Sequence, residues 1–269
     1  YTKHDLVSRY GSDLSFDIIT WNIEHFPKDP VHTIPDLSRI IRNIDVDLIA
    51  VQEIDESSSF QTLIDSLDGY TGCISSLPDY GQRLGIIYKT NIISMSEPYL
   101  IFTHDGWAFP RPPMVSIVTV KKENKIVFDF ILIIVHLKAF PDEESEMRRR
   151  IACTKLKSYV DTYILSGSEK DVIILGDFND ELVDVKSNGI FESFISDSSH
   201  YHFLTLPLIN HPTYIGDFDS SIDHILITDD TKEEYSGGLT RVLDIDKAFS
   251  EYLNTISDHR PVLAQFFVF

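Results

Sequence analysis

The stretch VIILGDFND, residues 172–180, joins an apolar run of strand length to a segment of polar residues. Four aliphatic residues in a row are typical of a strand that is covered on both faces. Gly176 ends the apolar run, and Asp177 and Asn179 follow at once. The ends of packed strands hold ligand sites, because the scaffold there is rigid and the loops are free. The stretch therefore predicts a buried sheet with a functional site at its edge.

Five other apolar runs have carboxylate, amide or imidazole side chains at one end. These are Trp21–Asn22 after Ile18–Thr20, Gln52–Glu53 after Leu48–Val51, His136 after Ile131–Val135, Asp223–His224 after Ser220–Ile222, and the segment SDHRP (257–261) before Val262–Val268. Each alone is typical of a turn or a solvated charge. Six together indicate that the polar ends converge on one site.

The order of strands and helices predicts an α/β fold. Besides the runs above, Gly85–Tyr88 and Met114–Val120 have strand length and composition. Helical spacing of apolar residues covers 37–44 and 60–67, and acids in its first turns favour a longer helix over 142–165. Since strands follow both strands and helices, we expect helices that cover sheet faces. No repeat or linker interrupts the chain, so we expect an N-terminal extension over 1–15 and one domain over 16–269.

The charge limits the function. Asp and Glu number 42 against 23 Lys and Arg, which gives a net charge of −19. Such a chain lacks the basic footprint of a protein that coats nucleic acid. A polyanionic substrate needs bridging cations, so the acidity favours a divalent metal. No apolar run reaches the ~20 residues that span a bilayer, and Cys73 and Cys153 allow one disulfide or two buried thiols.

These motifs, in this order, resemble the endonuclease/exonuclease/phosphatase superfamily, the deoxyribonuclease I-like phosphodiesterases. The resemblance covers residues 16–268, and its most specific segments are GDFN (176–179) and SDHRP (257–261). It implies a four-layer α-β-β-α sandwich of two packed mixed sheets, with the active site at one edge of the sheets.

The resemblance also implies a metal site. Glu53 is a hard oxygen ligand of the kind that Mg²⁺ prefers. Asn22 and Asp258 would complete its shell or hold a second ion. We expect Mg²⁺ as the cofactor, with Mn²⁺ or Ca²⁺ as substitutes.

Catalytic roles follow from the same resemblance together with residue chemistry. His259 is the expected general base, and Asp223 would orient it and stabilise its imidazolium form. Asp177 and Asn179 would position the attacking water, and Asn179 would also donate to a phosphate oxygen. His136 would be the general acid or a hydrogen-bond donor to the phosphate.

One arginine and one departure from the family complete the expected site. Arg111 resembles the phosphate-binding arginine of the family, and its planar fork suits that task. Where deoxyribonuclease I-like enzymes support the histidine at position 136 with a Glu, this chain has Gln82, which weakens the acid role of His136. The loop 68–82 also lacks a clear minor-groove wedge, which puts duplex DNA in doubt.

The expected activity is metal-dependent phosphodiester hydrolysis by an activated water, with DNA or RNA as the substrate. A sphingomyelinase-like or other small-phosphoester hydrolase is the alternative, and a catalytically inactive binding module is the alternative of another class. We expect a monomer without stable membrane insertion. The acidic composition and the start at Tyr1 lead us to expect an exported mature chain.

Overall fold

A computed structural model describes residues 7–76, 81–164, 166–167, 169–182 and 189–269 of the chain. The strands are β1 Phe16–Phe26, β2 Leu48–Ile54, β3 Tyr70–Ile74, β4 Arg83–Lys89, β5 Ile93–Met95, β6 Tyr99–Leu100, β7 Met114–Lys122, β8 Lys125–His136, β9 Val172–Asp177, β10 Tyr201–Phe203, β11 Tyr214–Ile215, β12 Asp219–Ser220, β13 Asp223–Thr228, β14 Leu239–Val242 and β15 Val262–Phe266. The helices are α1 Thr33–Ile44, α2 Ser57–Asp65, α3 Glu143–Tyr159, α4 Glu192–Ile195, α5 Ile245–Ala248 and α6 Tyr252–Thr255.

Two large mixed sheets form the centre of the molecule. The first has the strand order β14-β15-β1-β2-β4-β3, and the second has the order β10-β13-β9-β8-β7-β5, with β6 also paired to β7. Strands β11 and β12 form a separate small hairpin.

Three apolar clusters separate four layers. Phe16, Leu48, Leu132 and Leu175 belong to a cluster that takes residues from both sheets and fills the space between them. A second cluster packs α1 and α2 on the outer face of the first sheet. A third packs α3 and α4 on the outer face of the second sheet. The predicted α-β-β-α sandwich of two mixed sheets is confirmed.

Strand directions bring the polar ends to one edge. In the first sheet β1 and β2 run parallel, and in the second β8 and β9 run parallel. Strands β15 and β13 run antiparallel to β1 and β9, so their starts lie where the other strands end. Register places both His136 and Asp223 directly opposite Asp177.

The eight predicted strands are all present, with shifted bounds. The main difference is that β1 continues to Phe26. The long helix begins after the N-cap Asp142, whose carboxylate accepts from the Ser145 amide at 3.0 Å. It gives way after Tyr159 to a π-helical turn, Val160–Ile164, and Leu165 lies outside the described residues.

Two smaller expectations concern thiols and membranes. Cys73 and Cys153 are both free. In the part of the chain that the structure describes, we find no helix with the length and apolar character needed to cross a bilayer.

Candidate active site

A buried histidine–carboxylate pair lies at the centre of the polar edge. The Nδ1 atom of His259 lies 2.8 Å from Oδ2 of Asp223, and both side chains are buried. The hydroxyl of Ser257 donates to the carbonyl of Asn22 at 2.6 Å and accepts from the amide of His259 at 2.9 Å. Ser257 therefore ties the loop before β15 to the end of β1, which fixes the position of the imidazole.

The surroundings of His259 favour its charged form. Burial alone would lower the pKa of His259, but the charge and hydrogen bond of Asp223, together with Asp177 and Asp258, raise it to about 10. Its Nε2 atom lies 3.9 Å from both Asp177 Oδ2 and Asp258 Oδ1. The surrounding carboxylates therefore favour the imidazolium form of the ring.

An amide joins two carboxylates next to this pair. The Nδ2 atom of Asn22 donates to Glu53 Oε1 and to Asp177 Oδ2, both at 3.1 Å. Its Oδ1 atom accepts from the amide of Glu24 at 3.0 Å. Asn22 thus holds Glu53 and Asp177 together across the two sheets, and the ligand role expected for its oxygen stays a prediction.

Glu53 is aimed by an irregularity of β2. The register between β2 and β4 shifts between Val51 and Ile54, and Glu53 has a φ of +67°, in the left-handed region. Bulges of this kind re-aim a side chain near active sites. The amide of His25 donates to the second oxygen of Glu53 at 3.1 Å. The carboxylate is therefore fixed, with 15% of the side chain exposed to solvent.

The second histidine has the opposite environment. Arg111 donates to His136 Nε2, and it donates to the carbonyl of Leu137 at 3.3 Å. Because a guanidinium can only donate, Nε2 accepts and a neutral ring carries its proton on Nδ1. Burial, then the charges of Arg111 and His259, hold the pKa of His136 well below its usual value. A neutral ring has no proton to give at Nε2, which disfavours the general-acid role.

Two buried donors on this side have no partner among the described residues. These are Nδ1 of His136 and Nε of Arg111. The predicted counterpart Gln82 therefore makes no hydrogen bond to His136 here. His136 Nε2 lies 3.6 Å from Glu53 Oε1 and 3.5 Å from Asp177 Oδ2, so the ring borders the same carboxylates.

The GDFN segment turns sharply at the end of β9. Gly176 has a φ of +146°, and a Cβ there would lie 1.9 Å from the carbonyl oxygen of Val135, so only glycine fits. Asn179 has a φ of +54°, its amide donates to Asp177 Oδ1 at 2.8 Å, and its Nδ2 donates to the Leu137 carbonyl at 3.2 Å. The turn places Asp177 and Asn179 beside His136.

Asp177 lies between the two histidines and accepts hydrogen bonds from Asn22 and from the Asn179 amide. Burial and the charge of Asp223 raise its pKa to about 7, although His259 and the bonds from Asn179 and Asn22 oppose this shift. Its Oδ2 atom faces both histidines. A carboxylate with a raised pKa can take up a proton near neutral pH.

The edge has the oxygen donors that a divalent cation needs. Ligand atoms of Asp177, Asp223 and His259 all lie within 4.8 Å of one another. We assign His259 to Asp223 instead of to a metal, because Nδ1 bonds Asp223 and the raised pKa of the ring favours a proton on Nε2. Glu53 keeps partly exposed oxygens, and Oδ1 of Asp223 is buried without a partner among the described residues. The donor set therefore fits a hard cation such as Mg²⁺.

Asp258 lies beside Glu24 in the loop before β15. Its amide donates to Glu24 at 2.7 Å, and burial, with Glu24 adding to it and His259 opposing it, raises the pKa of its carboxyl to about 6. Lys28 pairs with the same Glu24 side chain. A ligand role for Asp258 stays a prediction.

Other residues have supporting positions. Trp21 is fully buried under the site, where its indole donates to Tyr252 at 3.0 Å and to the His259 carbonyl at 3.2 Å. Arg83 bonds the Asp55 carbonyl at 3.2 Å and so borders the loop after β2. Tyr214 packs edge-on against the His259 ring with centroids 5.2 Å apart.

Arg149 is the supporting residue that sequence reasoning missed. It is buried on α3, pairs with Asp180 at 2.7 Å, and donates to the carbonyls of Lys138 and Phe140, both at 2.8 Å. It thereby links the loops that follow His136 and Asn179. The helical spacing could have revealed its burial, because position 149 lies on the same face of α3 as Ala152, Cys153 and Leu156, which are also buried.

A four-layer sandwich of two mixed sheets with this edge site defines a deoxyribonuclease I-like protein. Residues 19–259 match the model of the Endonuclease/Exonuclease/phosphatase family, and the chain belongs to that family. No curated protein sequence matches the chain.

Solved structures share the fold at low sequence identity. A family protein from Bacteroides thetaiotaomicron is 17% identical, with a TM-score of 0.67 over 93% of this chain and 97% of that one. The human Nocturnin catalytic domain with bound sulfate is 17% identical, with a TM-score of 0.66 over 94% of each chain. D. rerio TDP2 complexed with a single-strand DNA product is 15% identical, with a TM-score of 0.64 over 94% and 99%.

Proposed function

We propose that this protein is a divalent-metal-dependent phosphodiesterase that cleaves DNA or RNA strands with an activated water. The observation that carries the proposal is a site with both kinds of charge. Glu53 and Asp177 offer carboxylates for a cation, and Arg111 and the His259 imidazolium face the same space as donors for an anion. Phosphodiester hydrolysis needs both, because charge builds up on the phosphoryl oxygens in the transition state.

The cation would be held by Glu53, with Asp258 and Asn22 as further ligand candidates. When bound, it would polarise a non-bridging phosphate oxygen and offset the developing charge. It would also offset the acidity of the chain near a polyanionic substrate.

The side chains would share the remaining work. Asp177, with its raised pKa, would accept the proton of the attacking water, and Asn179 would position that water. The His259–Asp223 pair would donate to the phosphoryl oxygens as an imidazolium, and its Nε2 proton would pass to the leaving oxygen as that P–O bond breaks. This differs from the base role expected for His259 from the sequence, and the reason is the group of carboxylates around its ring.

On the other side, Arg111 would bind the phosphate and His136 would orient Arg111. The guanidinium is buried between the His136 ring and the Leu137 carbonyl, which limits its rotamers. A fixed guanidinium loses less entropy when it binds a phosphate.

A nucleic acid is the substrate that the similar structures favour. One of them, TDP2, holds a single-strand DNA product, and another, Nocturnin, holds a sulfate anion. The sequence keeps all eight expected metal-binding and catalytic residues, which argues against an inactive module.

The test is cleavage of a supercoiled plasmid and of a single-stranded oligonucleotide with Mg²⁺, Mn²⁺ or EDTA. We expect cleavage with either metal, none with EDTA, and loss in the His259→Ala variant. His200→Ala is the matched control, because this exposed histidine precedes β10, away from the site edge.

Three outcomes would contradict the proposal. Cleavage that persists in EDTA would remove the metal requirement. Cleavage that survives in His259→Ala would point to a contaminating nuclease. Metal binding without cleavage of either nucleic acid would move the assignment to a smaller phosphoester, such as a lipid headgroup.

A further inference from the structure

Two exposed aromatic side chains lie on the segments that carry Arg111 and His136. Trp107 lies four residues before Arg111 and is 42% exposed, and Phe140 lies four residues after His136 and is 68% exposed. Four residues span at most about 14 Å, and Arg111 contacts His136. Both rings therefore belong to segments that start within one or two nucleotide lengths of the proposed phosphate contact.

A cation lies over each ring. Lys138 Nζ lies 4.3 Å from the Phe140 centroid, and Arg148 Cζ lies 5.7 Å from the Trp107 centroid. The Nε atom of Arg148 also donates to the Trp107 carbonyl at 2.6 Å, which fixes the pair. Burial, followed by the charges of Arg148 and Arg111, lowers the pKa of Lys138, while Asp142 opposes this shift. Each ring thus has one cation beside it, in a chain of net charge −19.

The backbone holds Phe140 outward at a cost. Its φ is +83°, in the left-handed region that a bulky residue rarely adopts. Buried Arg149 donates to the carbonyls of Lys138 and Phe140 and fixes this conformation. A strained backbone that presents a large apolar ring to solvent indicates a binding role, because folding alone would favour neither feature.

We propose that Trp107 and Phe140 form a stacking surface for unpaired bases of a single-stranded nucleic acid. Lys138 and Arg148 meet the backbone phosphates beside those bases. The inference rests on the proposed function and adds the strand form of its substrate. Bases of a duplex are already stacked on each other, so only an unpaired base can lie on an exposed aromatic ring.

The acids next to Phe140 favour this partner over a membrane. Asp142, Glu143 and Glu144 follow within four residues, and Glu146 is exposed in the same helical turn. Insertion of Phe140 into a bilayer would bring these carboxylates to the headgroups. Stacking leaves these carboxylates in solvent, and Mg²⁺ would offset their repulsion of the strand phosphates.

The experiment uses tryptophan fluorescence, because the chain has two tryptophans and Trp21 is fully buried. The His259→Ala protein with Mg²⁺ is titrated with a short single strand, with the same strand lacking bases, with its duplex, and with phosphatidylcholine–phosphatidylserine vesicles. We expect the base-containing strand to quench the emission and to bind about tenfold more tightly than the abasic strand. The quenching should disappear in the added Trp107→Phe variant.

Phe140→Ala should remove most of that base-dependent advantage, and Phe140→Tyr should keep it. Phe267→Ala is the matched control, because this exposed phenylalanine follows β15 at the edge opposite the site, and it should bind as the parent does. Circular dichroism and thermal melting confirm that each variant is folded.

Equal affinity for the base-containing and abasic strands would overturn the inference, and so would an unchanged advantage in folded Phe140→Ala. A blue-shifted emission with vesicles and none with the strand would assign the surface to lipid. Because binding is read without cleavage, base-dependent binding by a protein that cleaves no strand would reject the proposed function and leave the surface standing.

Discussion

The two ends of β9 carry one aspartate each, and the pKa of both is raised to about 7. Asp171 lies just before the strand and Asp177 ends it. In both cases burial is the largest cause and neighbouring acids add to it. A perturbed pKa is therefore shared by the two ends, and it cannot by itself identify the active site.

The neighbours make the difference. Around Asp171 the groups that shift its pKa are acids, namely Glu234, Glu169 and Asp230, together with a hydrogen bond from Thr231. Around Asp177 stand two histidines and an amide, with Arg111 behind His136. The acids around Asp171 repel its negative charge, whereas the groups around Asp177 can exchange a proton with it and bind an anion. A carboxylate that is surrounded by hydrogen-bond donors as well as by other acids therefore distinguishes the site end of the strand.

The largest expected difference between the two ends is in activity. Asp177→Asn should lower kcat about 10³-fold, within the usual range for loss of a general base. Asp171→Asn should leave kcat unchanged, because its side chain lies at the opposite end of β9. The measurement is the initial rate of oligonucleotide cleavage with saturating Mg²⁺. Similar losses in both variants would show that the rate responds to the fold of β9 and not to the chemistry of Asp177.

A smaller loss is expected from the histidine that borders Asp177 without a carboxylate bond. His136→Gln should lower kcat/KM about 10²-fold, because Arg111 would lose its fixed orientation toward the phosphate. We expect most of this loss in KM, since Arg111 contacts the phosphate in the ground state as well. A loss confined to kcat, with an unchanged KM, would restore the general-acid role for His136.

The pH dependence of the rate separates Asp177 from His259. If Asp177 is the base, the rate rises with pH along an acidic limb above the ordinary range of an aspartate, since burial and Asp223 raise its pKa. The rate changes up to tenfold per pH unit below that pKa. A pH–rate profile in constant Mg²⁺ should show this limb in the parent protein and in the His200→Ala control, and the residual rate of Asp177→Asn should lack it. A limb that persists in Asp177→Asn would return the base role to His259.

Much of the site could be predicted from the sequence, because a buried strand and the polar residue at its end are adjacent in the chain. The runs that end at Asn22, His136 and Asp177 have the lengths and compositions of buried strands, and the structure places their ends at one edge. The fold was predictable for the same reason. The short strands β10, β11 and β14 were not, because edge strands of two to four residues leave no apolar period to detect.

The protonation of the two histidines could not be read from the sequence. His136 and His259 each follow or precede an apolar strand, yet one faces Arg111 and the other faces Asp223. These contacts join residues 25 and 36 positions apart. Only the tertiary arrangement decides them. The orientation of the Glu53 side chain could not be predicted either, since it depends on the register shift between β2 and β4.

The smallest expected effect concerns stability at the other end of β9. The folded pKa of Asp171 is about 7, above the ~4 of an unfolded chain. The folded state therefore holds the proton more tightly, and this contribution is complete below pH ~4 and is lost as the pH rises through ~7. Asp171→Asn should remove that loss. The carboxylate is partly solvated, so we expect a gain of only up to about 1 kcal/mol in the free energy of unfolding at pH 8 and almost none at pH 4.

Urea unfolding of both proteins at pH 4, 6 and 8 measures this difference, with Asp65→Asn as the control, because Asp65 is an exposed carboxylate at the end of α2. The divalent ion is omitted so that the site end of β9 contributes equally to both proteins. A gain that is the same at all three pH values would mean that the substituted amide packs better and that the Asp171 charge costs nothing. A gain that grows with pH, beside unchanged cleavage, would confirm that one strand carries a raised carboxyl pKa for chemistry at one end and merely tolerates it at the other.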